Sequence, residues 1–468
     1  MQIKFGTDGW RAIIAQEFTT DNVARVAHAT GLWVKSISSS PAITIGHDCR
    51  FGGPLFTEVT IKVLCGLGVK VYAHKGICST PMVSLGCRNL NTTAGVVITA
   101  SHNPPSYNGF KLKSSFGGPT TPADIAKVEA LIPESAAIPA TSLEELAASG
   151  LLEYVDLETM YFNHVEQSFD MNAIRTCGMT FGYDAMYGAG QKITRRLLPS
   201  HLVYLHCEEN PGFHGQAPEP LHKNLLEFSE LIKHSTDIEF GFANDGDADR
   251  IGCYDADGNF IDSHHIILLL IHYLHKYKGM TGKVVVSFTV SDKVKKMCKA
   301  YNLPCEVTQV GFKYICEIMV NEDVLVGGEE SGGIAIKGHI PERDGVWMAL
   351  VLMEFMAKTG KSIKELIAEV YEVVGSFDYD RYDLHISEEI KQKVIANCKA
   401  DAYTHFGDYP VKRKETIDGW KYFLDDSDST WTMIRASGTE PVLRVYGEAQ
   451  DRAAVIRLLD TVKATLLG

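Results

Sequence analysis

The run Thr99-Ala-Ser-His-Asn-Pro-Pro105 sets a hydroxyl nucleophile beside an imidazole. The β-branched stretch Ala94-Gly-Val-Val-Ile-Thr99 leads into it, and Pro104-Pro105 bars helix behind it. Ser101 and His102 are therefore expected on a tight loop at a strand end, where a hydroxyl is exposed and held still. Alone, this run reads equally well as an ordinary polar turn. Three further segments change that reading. Asp245-Gly-Asp-Ala-Asp-Arg250 alternates carboxylates, and on an extended loop alternate side chains converge on one side. Carboxylates packed that closely repel unless a cation neutralises them, and hard oxygen ligands suit Mg²⁺. An EF-hand is excluded, because Arg250 occupies the position that needs glycine and no Glu closes the loop. Gly328-Glu-Glu-Ser-Gly-Gly333 places Glu329 and Ser331 two apart, so they can share a face; a β-turn is the competing reading. Arg435-Ala-Ser-Gly-Thr439 combines a guanidinium fork, two hydroxyls and a flexible backbone, the makings of an anion nest. A serine loop, a carboxylate cluster, a polar glycine loop and an anion loop look like four parts of a phosphoryl-transfer site.

Those four segments, in that order, resemble the α-D-phosphohexomutases, the family of phosphoglucomutase, phosphomannomutase and phosphoglucosamine mutase. The resemblance runs from Phe5-Gly-Thr-Asp-Gly-Trp-Arg11 to Arg444-Val-Tyr-Gly-Glu448. It implies an isomerase that moves a phosphoryl group between O1 and O6 of a hexose phosphate through phospho-Ser101 and a hexose 1,6-bisphosphate, which also serves as activator. It implies Mg²⁺ on Asp245, Asp247, Asp249 and the Ser101 phosphate. Lys111, in Tyr107-Asn-Gly-Phe-Lys111, matches a family lysine beside that phosphate; otherwise it reads as a solvated strand lysine. The resemblance makes Glu329 and Ser331 the sugar-reading pair. It places Lys313 at the other end of the ring, and Arg11, Arg250 and Arg343 on the sugar or its phosphates. Arg435, Ser437, Gly438 and Thr439 would hold the phosphate not undergoing transfer. Two positions depart from the pattern. Some relatives end the sugar loop with His where this chain has Gly333, and animal phosphoglucomutases carry Lys where Arg343 stands, in His339-Ile-Pro-Glu-Arg343. Arginine is a poor proton acceptor. The general acid/base is thus open among His102, Lys111 and His339. Adjacent side chains on an extended loop point apart, so a Ser101–His102 hydrolase dyad is not expected. Glucose phosphate is the expected substrate, because the Glu-Glu-Ser-Gly-Gly loop resembles phosphoglucomutases more than the Gln-Ser-Gly-His type. Mannose phosphate, or both sugars, comes second; a phosphoglucosamine mutase or a metal-dependent sugar phosphatase comes after that.

Composition narrows the partners. A formal net charge of -13 argues against nucleic acid and requires a local basic pocket for an anionic substrate. The longest apolar run, Ile266 to Ile271, is far too short to cross a membrane, and the opening residues lack a signal-peptide core. Eleven cysteines without a Cys-x-x-Cys pair read as reduced thiols in the cytoplasm. The expected partners are small hexose phosphates, with the chain a monomer or small homo-oligomer. His264, His265, His272 and His275 share one expected helix without the Glu of a zinc motif. Gly188-Ala-Gly190 lacks the remainder of a dinucleotide fingerprint.

These residues need a scaffold, and 468 residues are too many for one core. Strand and helix signals alternate three times: Ala42–His47 then Leu55–Gly66, Met179–Asp184 then a small-residue turn, and Lys283–Phe288 then Asp292–Tyr301. After Gly375 the pattern turns to successive strands at Trp420, Trp431 and Leu443, closed by a helix from Asp451 to Leu467. The expected class is α/β: three similar mixed-sheet domains, at 1–152, 153–256 and 257–372, followed by a smaller α+β domain at 373–468. The resemblance implies a central cleft between them.

Overall fold

The computed structural model describes residues 2–200, 202–436 and 442–468. The chain divides into two compact units: Met1–Lys283 with Gly311–Leu366, and Val284–Val310 with Ile367–Gly468.

The first unit opens on a six-stranded mixed sheet. Its strands run in the order Trp10–Ile13, Tyr107–Ser114, Ala94–Ile98, Ala42–His47, Lys70–Ile77 and Leu152–Val155. Ala42–His47 pairs in parallel with both Ala94–Ile98 and Lys70–Ile77, whereas Tyr107–Ser114 runs antiparallel to Ala94–Ile98. The central strand Ala94–Ile98 is buried throughout, which is why its sequence is apolar rather than alternating. Helices cover the sheet because their starts are written into the sequence. Thr19 caps Thr20–Ile37 by accepting from the Asn22 amide, and Ser79 caps Thr80–Asn89 by accepting from the Met82 amide. Trp33, Val34, Ile45, Leu64 and Val96 pack into the core beneath them, each such side chain worth about 1.5–3 kcal/mol of burial.

A second sheet follows, in the order Phe260–Ile261, Ile251–Asp255, Ile238–Asn244, Thr180–Asp184, Leu202–Leu205. Thr180–Asp184 pairs in parallel with both its neighbours. Ile238–Asn244 and Ile251–Asp255 form an antiparallel hairpin, and the acidic segment is its connection. Asp255-Ala-Asp-Gly258 forms the next hairpin turn, with the Asp255 carboxylate accepting from the Asp257 and Asn259 amides. The histidine-bearing segment is an α-helix over Ser263–His272 that continues as a π-helical turn over Tyr273–Tyr277. Further on, Val324–Gly328 and Ile334–Ile336 form an antiparallel hairpin whose connection is the Glu329–Gly333 loop. The helix Gly345–Thr359 starts at Asp344, whose carboxylate accepts from the Trp347 amide at 3.0 Å.

The second unit begins one residue into the strand Lys283–Ser287, which pairs in parallel with Cys305–Thr308 and is joined to it through the helix Lys293–Ala300. It also carries an all-antiparallel sheet in the order Asp378–His385, Val442–Ala449, Trp431–Ala436, Trp420–Phe423, Arg413–Glu415. The helices Glu388–Lys399 and Arg452–Leu467 pack on it through Val394, Val455, Leu458, Leu459 and Val462. Mixed sheets in the earlier part and an antiparallel C-terminal domain are the architecture expected from the alternation of signals. The strand Asp378–His385 was not read from the sequence, because its run of charged residues shows no apolar period.

Candidate active site

Ser101 is buried, not exposed as expected, and its hydroxyl donates to Asp245 Oδ2 at 2.6 Å. Its backbone is left-handed at φ 53°, so the loop is not extended. That twist brings the two neighbouring side chains together, against the expectation that they diverge: Ser101 Oγ lies 3.3 Å from His102 Nδ1. Burial, with Arg250, Arg11, Lys111 and Arg50 nearby, holds the His102 imidazole well below its usual range and hence neutral.

The acidic loop converges too, but by coiling rather than by extension. Asp245 Oδ1 accepts from the Asp249 and Arg250 amides at 3.0 Å each, and Ala248 sits at φ 58°. Asp245, Asp247 and Asp249 are fully buried and each turns one carboxylate oxygen to within 4.8 Å of the others, the one such group of acidic, His or Cys side chains among the described residues. Burial and the two like charges push the Asp245 carboxyl well above its ordinary range. Asp247 is held the other way, below the ordinary carboxylate range, against its own burial, by Lys111 and Thr80. Asp247 Oδ1 and Asp249 Oδ1 are buried without a hydrogen-bond partner. Two orphaned anionic oxygens beside Asp245 and the Ser101 hydroxyl form a hard-oxygen donor set that fits a divalent cation. Glycine at 246 permits the approach: a Cβ there would lie 2.5 Å from the Ser101 carbonyl oxygen.

Basic side chains wall the cluster. Lys111 is fully buried, not solvated; its ammonium reaches Asp247 Oδ2 at 2.7 Å, Asp249 Oδ2 at 3.0 Å and Asp8 Oδ2 at 2.7 Å. Those carboxylates outweigh its burial and raise its pKa. Arg343 is buried and donates to Asp8 and, at 2.7 Å, to Asp249. Arg11 reaches Asn103 Oδ1 at 2.8 Å, and Arg250 lies 3.4 Å from Glu219. Glu329 is buried, accepts from the Gly311 amide at 2.8 Å, and is shifted upward by burial. Ser331 is half-buried in the same hairpin turn. Lys313 lies on the first turn of the helix Phe312–Asn321, with its ammonium against the Tyr314 ring. Gly333 faces Arg343: a Cβ at 333 would lie 2.5 Å from Arg343 Cδ. His339 stacks on Trp347 at 3.7 Å and engages both ring nitrogens, with Asp344 at 2.9 Å and His164 at 3.2 Å. It therefore presents no ring nitrogen to the serine.

Arg435 belongs to the second unit, at the end of the strand Trp431–Ala436, with its guanidinium 3.3 Å from Asp418. Ser437, Gly438 and Thr439 lie outside the described residues.

Several residues of the site escaped the sequence reading. Asp8 sits in the quoted Phe5–Arg11 motif, where only Arg11 was singled out. Thr80 donates to Asp247 at 2.5 Å, and Lys113 bridges to the buried Glu342 at 2.8 Å. Asp48 and Arg50 stand behind the serine loop; Asp48 is pushed up to about 6 by burial against the opposing pull of Arg50 and Thr99. Asp48-Cys-Arg50 follows the strand Ala42–His47 directly, the same signal that marked Ser101, and could have been read the same way.

The comparisons agree along the chain. Family models described as "Phosphoglucomutase/phosphomannomutase, alpha/beta/alpha domain" I, II and III match residues 2–138, 159–258 and 262–374, and the corresponding C-terminal domain matches 389–465. A phosphoglucomutase/phosphomannomutase of Thermococcus kodakarensis is 30% identical, over 95% of this chain and 94% of its own. A phosphoglucosamine/phosphogalactosamine mutase of Sulfurisphaera tokodaii is 28% identical over 99% of each. The crystal structure of a "putative phosphomannomutase" from Thermus thermophilus superposes with a TM-score of 0.88 at 32% identity, covering 100% of both chains.

Proposed function

Because the chain belongs to the phosphoglucomutase/phosphomannomutase family and is a phosphohexomutase, we propose that it interconverts glucose 1-phosphate and glucose 6-phosphate, with Ser101 as the phosphoryl carrier. The observation that carries this reading is the Ser101 hydroxyl held 2.6 Å from Asp245, inside a buried triad of carboxylates walled by Lys111. Phospho-Ser101 gives its phosphoryl group to the free hydroxyl of the bound hexose phosphate. The P–Oγ bond breaks as the sugar O–P bond forms. The hydroxyl proton passes to His102, the neutral imidazole 3.3 Å from Ser101 Oγ, which hands it to the departing serine oxygen, while Lys111 keeps its charge. The bisphosphate then turns end for end and its other phosphoryl group returns to Ser101. Asp245, Asp247 and Asp249 would hold Mg²⁺, which supplies charge neutralisation at the transferring phosphate. Lys111, Arg11 and Arg250 add donors for phosphate oxygens. Glu329 and Ser331 read the sugar hydroxyls, Lys313 meets the far end of the ring, and Arg435 grips the distal phosphate together with Ser437, Gly438 and Thr439. Arg343 acts through Asp8 and Asp249.

Glucose is favoured by the Glu329–Gly333 loop, in which Arg343 occupies the space that a histidine at 333 would need. A dual glucose and mannose mutase is the second reading, favoured by the name of the Thermococcus relative.

The test is a panel of glucose, mannose and glucosamine 1-phosphates, each with its 1,6-bisphosphate and MgCl₂, followed by phosphorus NMR. Glucose 6-phosphate should form with the highest kcat/KM, and folded Ser101→Ala should lose nearly all turnover. Release of inorganic phosphate in place of the 6-phosphate would make the protein a phosphatase. A preference for glucosamine would overturn the reading of the sugar loop.

A further inference from the structure

The serine loop is two tight turns in succession, closed by the Asn103 amide on the Ala100 carbonyl and the Tyr107 amide on the Pro104 carbonyl. Pro104 and Pro105 contribute no N–H, so the loop has more carbonyl oxygens than donors of its own. Four of those oxygens turn to a single side chain. Arg50 Nη2 donates to the carbonyls of Ser101 and Asn103, at 2.6 Å each, and Nη1 donates to those of Pro104 and Tyr107, at 2.9 and 3.0 Å. The guanidinium is buried, 2% exposed, with its Nε 3.4 Å from Asp48 Oδ2 and the Phe213 ring centroid 5.0 Å from its carbon. The same Asp48 oxygen accepts from the Thr99 hydroxyl at 2.5 Å, and that hydroxyl oxygen accepts from the Ser101 amide at 2.8 Å. Ser101 is thus gripped at its carbonyl by Arg50 and at its amide by Thr99, and both trace back to Asp48. Its left-handed φ of 53° persists because the surroundings over-determine it.

We propose that Arg50 is a positioning residue for phosphoryl transfer: its planar fork gathers the carbonyls of the serine loop and so aims Ser101 Oγ at the carboxylate cluster. Arg50 touches neither the Ser101 hydroxyl nor the carboxylates around it. This inference rests on Ser101 being the phosphoryl carrier. Four carbonyls in two directions match two guanidinium nitrogens in one plane. The single ammonium of lysine cannot span them. A loop freed by about 1 Å loses on the order of a hundredfold in rate, while contacts made by other residues with the sugar and its distal phosphate stay as they were.

The experiment compares wild type with Arg50→Ala, Arg50→Lys and Thr99→Val, the last keeping the side-chain volume while deleting the Asp48–Ser101 link. Turnover is measured with glucose 1-phosphate or mannose 1-phosphate, whichever wild type uses faster, and phosphorylation of Ser101 by the matching 1,6-bisphosphate is followed by intact mass. Thermal melts give the folded fraction. Expected are a kcat about a hundredfold lower in Arg50→Ala, a KM within about threefold, a loss in Arg50→Lys nearly as large, and a smaller one in Thr99→Val. Added guanidinium ion should restore at least tenfold of the Arg50→Ala loss. A kcat within twofold of wild type in folded Arg50→Lys would overturn the inference. So would a loss in every variant that merely tracks the unfolded fraction and does not respond to guanidinium. If wild type itself gains no phosphate on Ser101 from the bisphosphate, the carrier assignment fails first, whatever the Arg50 variants do.

Discussion

At the scale of single residues, the carboxylates of the acidic loop are not interchangeable. Asp245 receives the serine hydroxyl, Asp247 is tied to Lys111 and Thr80, and Asp249 is shared between Lys111 and Arg343. Asp247→Asn removes a negative charge while leaving Lys111 two other carboxylates, Asp249 and Asp8, so the protein should fold. Its Mg²⁺ requirement should rise: half-maximal activity is expected at a concentration at least about tenfold higher, the loss of one charge-assisted contact. A Mg²⁺ titration of the initial rate checks this, and full activity of wild type in excess chelator would contradict it. Arg435 offers a second case. Its present partner is a half-buried Asp418, which a phosphate dianion can outbid. Arg435→Ala should raise KM for the hexose phosphate about ten- to a hundredfold, from a charged hydrogen bond worth roughly 1.5–3 kcal/mol. Phosphorylation of Ser101 by the bisphosphate should be only partly impaired, and equal Michaelis constants would remove Arg435 from the binding site.

At the scale of elements, the site is a meeting of loops at strand ends. The serine loop leaves Ala94–Ile98, the Asp48–Arg50 segment leaves Ala42–His47, and the acidic loop joins Ile238–Asn244 to Ile251–Asp255. The backbones of the serine and acidic loops approach so closely that residue 246 has no room for a side chain. Gly246→Ala would bring its Cβ to 2.5 Å from the Ser101 carbonyl oxygen and 3.1 Å from Pro218 Cγ. One loop must retreat, and Ser101 with it. The expected outcome is a kcat reduced by about tenfold or more with a melting temperature close to wild type, since the core strands are untouched. Circular dichroism melts beside steady-state kinetics measure both. Unchanged kcat would mean that the two loops yield without consequence for Ser101.

At the scale of the whole chain, the second unit holds a buried acid with no part in the proposed chemistry. Glu448 lies on the strand Val442–Ala449, fully buried opposite Trp431. Burial pushes its carboxyl from 4.5 up to about 7, against the opposing influence of Ser291, Lys421 and Lys293. Lys421 itself is engaged elsewhere, 2.5 Å from Asp292 and 3.8 Å from the Trp431 ring centre. Because the folded value is raised, the folded unit holds a proton that the unfolded chain has released. The stability is therefore fully present below about 4.5 and falls as pH rises through about 7, by roughly 3 kcal/mol in all. Glu448→Gln cannot ionise and should lack that decline. Urea midpoints from pH 5 to 8.5 should show wild type losing ground to Glu448→Gln as pH rises; parallel curves would show that Glu448 titrates normally.

What the sequence by itself determined is local and periodic. Apolar runs marked the central strands, and the strand-then-polar-loop pattern picked out Ser101 and Asp245, because backbone chemistry acts over a few residues. The four motifs together were enough to place the chain in its family. Tertiary structure alone decided the rest. Whether Ser101 is exposed, whether Lys111 is solvated and what Arg343 touches all depend on segments about a hundred or more residues apart, and burial is a property of the packed chain. Asp8 and Thr80 carry no unusual composition; they matter only because folding sets them against Lys111 and Asp247. The left-handed turn at Ser101, which aims the hydroxyl, is held by carbonyl contacts to Arg50 that no side-chain pattern records. The partition into compact units is likewise tertiary: residues 284–310 join 367–468 across an intervening stretch, and no shift of composition along the chain announces it.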